Sequence, residues 1–149
     1  MPNEFFKMLK KDHVEQKGIL EQLTETKEAK KREELFKKLK EELVPHIKAE
    51  ESAFYPPLLA KKEAREDALE GLEEHHVSEL IQKELEMMPK GEDQWGAKMS
   101  VFKELVEHHI KDEESKVFKS AEKVLKPDEF ENIMKKFDQE KEKIKKSLK

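Results

Sequence analysis

A seven-residue motif occurs twice in this chain, and each copy puts a histidine and a carboxylate one helical turn apart. His46-Ile47-Lys48-Ala49-Glu50-Glu51-Ser52 and His109-Ile110-Lys111-Asp112-Glu113-Glu114-Ser115 agree at six of seven positions and lie 63 residues apart. His13-Val14 and His76-Val77 keep the same offset. The chain therefore reads His13 … His46-x-x-x-Glu50, then His76 … His109-x-x-x-Glu113. In a helix, residues i and i+4 share one face, about 6 Å apart along the axis. Each half offers one histidine from a first helix, and a histidine with a carboxylate from a second. Two such halves facing each other would gather four imidazoles and two carboxylates, a set that suits iron, manganese or zinc.

The rest of the sequence supplies the helices. From Asn3, a plausible N-cap, Phe5, Phe6, Leu9, His13, Leu20 and Leu23 share a face. Thr24–Lys30 reads as a turn region. A second stripe runs through Leu35, Phe36, Leu39, Leu43, His46, Ile47, Glu50 and Phe54, with a kink expected at Pro45 and an end at Pro56-Pro57. A third helix, from roughly Lys62 to Met88, has Leu69, Leu72, His76, Leu80 and Met87 in phase, and Pro89-Lys90-Gly91 stops it. A fourth, from about Gln94 to Val124, turns Val101, Phe102, Leu105, His109 and Glu113 inward. Pro127 opens a fifth, with Phe130, Ile133, Met134, Phe137 and Ile144 on its apolar side. No stretch alternates as a strand does. The expected fold is all-α: an up-down-up-down four-helix bundle of two pseudo-symmetric hairpins (about 3–125) plus a short C-terminal helix (about 127–147), one domain over residues 1–149.

Composition narrows function. The chain is 44% charged and 35% hydrophobic, as exposed helices that each bury one stripe require. A net charge of −4, with both signs interspersed, gives no reason to expect nucleic acid or a membrane as partner. The lysine-rich segment Lys141–Lys149 reads as a solvated helix end. With no cysteine, disulfides, thiolate metal sites and cysteine nucleophiles are excluded. No apolar run has the length of a signal peptide or a membrane span, so a cytoplasmic location is expected.

A lone helical histidine is usually a surface residue or a hydrogen-bonded core residue. Four of them inside apolar stripes, with Glu50 and Glu113 beside them, need something to pair their buried polar atoms. At 100° per residue His76 lies with Leu69, Leu72 and Leu80, while His75 points away, yet a slip of one residue would exchange them. A kinked helix could likewise turn Glu51 and Glu114 inward in place of Glu50 and Glu113. Asp12 is either an acceptor for an imidazole N–H or a solvated acid. Tyr55 and Trp95 read as packing residues.

These motifs resemble the hemerythrin-like, or HHE cation-binding, domain. Asp12-His13, His46-Ile47-Lys48-Ala49-Glu50-Glu51, Glu74-His75-His76 and His108-His109-Ile110-Lys111-Asp112-Glu113-Glu114 carry the likeness. It spans about residues 3 to 125, and the fifth helix resembles an extension many members have. The resemblance implies a non-haem centre of two iron ions, oxo- or hydroxo-bridged, held by His13, His46, Glu50, His76, His109 and Glu113 with both carboxylates bridging. The oxygen-carrying members have a further histidine one turn after the third-helix ligand, and this chain has Leu80 there. Four imidazoles and two bridging carboxylates then supply eight of the twelve positions of two six-coordinate irons, and a bridging oxygen leaves two open.

That count suits reaction or sensing better than reversible O2 storage. The expected function is binding of, or reaction with, O2, peroxide or nitric oxide, with such a small molecule as partner. The alternative is an iron-binding or iron/oxygen-sensing module without turnover.

Overall fold

The computed structural model describes residues 3–148. The first helix, α1 (Glu4–Glu25), starts where the Asn3 side chain accepts the Phe6 N–H at 3.0 Å. A turn leads into α2 (Ala29–Ala49), which runs through Pro45. It passes without a break into a π turn (Glu50–Phe54) and then α3 (Tyr55–Leu59). Pro56 and Pro57 do not end this run as expected: they occupy the first turn of α3, where a missing N–H costs little. The second hairpin repeats the arrangement, with α4 (Lys62–Met87), α5 (Asp93–Asp112), a second π turn (Glu113–Val117) and α6 (Phe118–Val124). Pro127 opens α7 (Pro127–Ser147). No strand occurs among the described residues.

The two hairpins pack as an up-down-up-down bundle, α1 against α2 and α5, and α4 against α3 and α5. The fifth helix of the sequence reading, α7, lies along α2 and the first π turn. At the turn end, the buried Arg32 guanidinium ties both hairpin loops together. Its Nε donates to Thr26 O at 3.0 Å, and its Nη1 to Lys90 O at 2.6 Å and Glu92 O at 3.2 Å.

The core comes in two parts. Phe5, Phe6, Leu9, Phe54, Phe118 and Phe137 anchor one. Leu20, Leu23, Phe36, Leu39, Trp95 and Phe102 anchor the other. Between them, at one level of all four bundle helices, lie Asp12, His13, Gln16, His46, Glu50, His75, Ser78, His109 and Glu113, all buried. Apolar layers on both sides bound this polar layer and keep it from water.

The inward face of α4 differs from the sequence expectation. Ala64, Ala68, Gly71, His75, Ser78 and Leu85 are buried, while Leu69, Leu80 and Met87 are exposed. Small residues let α4 approach its neighbours closely, so the large apolar residues that set the phase mark the wrong side. Val101 on α5 is also exposed, and Leu105 is only half-buried while Val106 beside it is buried. The Lys141–Lys149 segment departs from a solvated end at Lys141, which is largely enclosed and ion-paired with Asp12; Lys149 lies outside the described residues.

Candidate metal centre

Each histidine of the polar layer is held by its outer nitrogen. His46 Nδ1–H donates to Asp12 at 2.8 Å and His109 Nδ1–H to Glu74 at 2.7 Å, both within one hairpin. His13 Nδ1–H donates to Glu114 at 2.7 Å and His75 Nδ1–H to Glu51 at 3.1 Å, both across hairpins. These carboxylates hold the Nδ1 proton of all four rings and aim each Nε2 inward, where a neutral ring presents a lone pair.

Two overlapping donor groups result. His13, His46, Glu50 and Glu113 each offer an atom within 4.8 Å of the others, and so do Glu50, His75, His109 and Glu113. Both glutamates belong to both groups. The structure therefore brings together His13, His46, Glu50, His109 and Glu113 of the expected set. It does not include His76, which is exposed; His75 takes its place with 2% exposure. The 63-residue offset holds for the second helix of each hairpin and shortens to 62 for the first, where Asp12-His13 matches Glu74-His75. An acid immediately before the buried histidine is the sequence signal that the fixed offset conceals.

The π turns explain the paired glutamates. In each, the wide turn closes through an i→i−5 backbone bond, Tyr55 N–H to Glu50 O and Phe118 N–H to Glu113 O. Consecutive residues can then both serve the centre. Glu50 and Glu113 enter it, and Glu51 and Glu114 reach the Nδ1 of a histidine on another helix. The i+4 and i+5 carboxylates thus lie against different partners.

Tyr55 has more than a packing role. Its O–H donates to Glu113 Oε2 at 2.6 Å in a fully buried setting. Gly71 makes room for it: a Cβ there would lie 2.7 Å from the Tyr55 oxygen. Its counterpart at the 63-residue offset is Phe118, so Glu50 receives no matching hydroxyl. His108, beside His109, is exposed, with Nε2 3.1 Å from Asp112.

The interior demands positive charge. His75 Nε2 and His109 Nε2 lie 3.0 Å apart, although both rings carry their proton on Nδ1. Both oxygens of Glu50, Oε1 of Glu113 and Nε2 of His46 are buried without a hydrogen-bond partner. Lone pairs converging without donors repel unless a cation or protons lie among them. The ionisation behaviour agrees. Burial alone would lower the His46 imidazolium, but Glu50, Asp12 and Glu113 override it and push its pKa up to about 10. His109 is pushed up to about 10 against its own burial by Glu113, Glu74 and Glu50. His75 is raised against burial by Glu50 and Glu51. The Glu113 carboxyl, despite burial, is held well below its usual range by His109 and His13. Burial and the neighbouring Glu113 push the Tyr55 hydroxyl well up, which keeps it a proton donor. Imidazole and carboxylate with this affinity for protons are chemically suited to hold divalent metal cations in their place.

Comparison with known proteins agrees with the geometry. The model of the family described as Hemerythrin HHE cation binding domain matches residues 4–121. A crystal structure of a Hemerythrin HHE cation binding domain-containing protein, the Rv2633c homolog from Mycobacterium kansasii, is similar at 26% identity and a TM-score of 0.83, covering 99% of this chain and 90% of that one. A search of curated proteins finds no match. On the family match over most of its length, and with the two buried motifs facing each other across the bundle, the chain belongs to the hemerythrin HHE cation-binding family.

Proposed function

We propose that the polar layer is a di-iron centre through which the protein binds or reacts with O2, peroxide or nitric oxide. The observation that carries this reading is the overlap of the two donor groups, each with two imidazoles and both sharing Glu50 and Glu113. Two carboxylates common to both groups suit two cations side by side, and the mixture of imidazole and carboxylate suits iron. Iron bound there supplies one-electron chemistry and free coordination positions for a small molecule.

The chain's own residues do the rest. Asp12, Glu51, Glu74 and Glu114 orient the imidazoles. Tyr55 holds Glu113 by Oε2, the oxygen 3.4 Å from His109 Nε2, and places a proton beside it. The flanking layers of leucine and phenylalanine exclude water. A cavity of ~140 Å³ reaches His75 past Val44 and Ile47, a size for a diatomic or peroxide. No nucleic acid or membrane belongs to this reading, and we place the protein in the cytoplasm; no described helix is long and apolar enough to cross a membrane.

The test is anaerobic loading with Fe(II), then exposure to air. The reading requires about two irons per chain and new near-ultraviolet absorption in air. One iron or none, with no change in air, overturns it. Two irons without consumption of peroxide or O2 assign binding or sensing in place of turnover.

A further inference from the structure

The two halves of the centre are not equivalent: besides the Tyr55 hydroxyl on Glu113, a second difference comes from α7, which has no counterpart in the repeat. Asp12, the acceptor for His46, lies under the Lys141 ammonium, whose Nζ is 2.9 Å from both carboxylate oxygens. That lysine is largely enclosed, with its side chain 16% exposed. One turn earlier on the same face, Phe137 is fully buried with its ring edge-on to His46, centroids 5.7 Å apart. The matching pair in the other hairpin is Glu74–His109. Among the described residues Glu74 has no lysine or arginine partner, its second histidine contact being the exposed His108 at 3.8 Å, and His109 has no aromatic neighbour except His75. Glu51 meets Lys48 at 3.6 Å, but that side chain is 43% exposed and therefore largely screened by water. Among the described residues Glu114 has no ion-pair partner besides His13.

A carboxylate on the outer N–H of an imidazole pushes electron density toward its ligating nitrogen. A cation bound to that carboxylate draws the density back, and its own charge opposes a second cation nearby. Resting on the two-cation reading, we propose that Lys141 is a positioning residue that weakens His46 as a donor, so that the His13–His46 position holds metal less tightly than the His75–His109 position. Phe137 fixes the ring against which this bias acts. The asymmetry ranks the two positions: the His75–His109 position fills first and empties last.

The test is anaerobic titration of the metal-free protein with Co(II), followed by its absorption bands and by paramagnetic shifts of the histidine protons. The wild-type protein should bind two ions in separated steps, about ten-fold or more apart. The first equivalent should shift His75 and His109 before His13 and His46. Lys141→Met should bring the steps together by tightening the second, and Lys141→Arg should keep them apart. Two equal steps in the wild-type protein, or an unchanged gap in Lys141→Met, overturn the inference while leaving the two-metal reading intact. A second step weakened in Lys141→Met also overturns it, because Lys141 then only holds Asp12 in place. Uptake of fewer than two ions by the wild-type protein overturns the two-metal reading, and this inference with it.

Discussion

Filling the centre with a divalent metal should expel protons. In the metal-free protein the pKa values of His46 and His109 are each about 10, so both rings are imidazolium at neutral pH. A ring that ligates through Nε2 keeps only the Nδ1 proton it gives to Asp12 or Glu74. These two residues alone release about two protons per chain on loading. Each released proton makes binding of the ion at its own position about ten-fold tighter per pH unit below pH 10, so loading of both positions together becomes about 100-fold more favourable per unit. Calorimetric titrations with Zn(II) in buffers of different ionisation enthalpy measure the release directly. Full loading at pH 7.5 with release of less than about one proton per chain would refute the reasoning. Metal-free stability supplies a second reading. The folded pKa values lie above the ordinary imidazole value of 6.5, so the stabilisation they contribute is complete below about pH 6.5 and is lost as pH rises through about 10. Melting of the metal-free protein across that window should show the loss, and melting of the loaded protein should not.

Substitution should separate the adjacent histidines: His75→Ala loses metal from one position by elemental analysis, whereas His76→Ala, on the surface, retains full content. Tyr55→Phe removes the hydroxyl that bonds Glu113 and should cost about 1–3 kcal/mol in denaturant unfolding of the metal-free protein. Gly71→Ala should cost a similar ~1–3 kcal/mol because its methyl displaces the Tyr55 hydroxyl; an unchanged midpoint would contradict the contact geometry. Arg32→Met removes three hydrogen bonds to loop carbonyls, of which Glu92 O keeps the Gly96 N–H, and should lower stability by about 1–3 kcal/mol while metal content stays unchanged.

The bundle and most of the layer were legible because His46, Glu50, His109 and Glu113 sit on amphipathic helices with an unmistakable repeat. The error at His76 has a physical origin. Helix α4 buries alanine, glycine and serine and leaves Leu69 and Leu80 outside, so ranking faces by large apolar residues reverses the answer. The π turns were not legible at all, since a widened turn leaves no residue signature in Glu-Glu-Ser-Ala-Phe or Glu-Glu-Ser-Lys-Val. Tyr55 and Lys141 escaped for another reason. Each acts on a partner distant in sequence, Glu113 and Asp12, and neither has a counterpart in the repeat that would have singled it out.

Two of the four imidazole–carboxylate bonds, His13 to Glu114 and His75 to Glu51, run from one hairpin to the other. The bonding pattern therefore closes only when two hairpins meet. A lone hairpin carrying this motif could complete it in one way, by docking face to face with a second copy of itself about a two-fold axis. Symmetry would then force both halves to be identical. Fusing the copies into one chain lifts that requirement, and Tyr55 opposite Phe118 is a position where the freedom has been used.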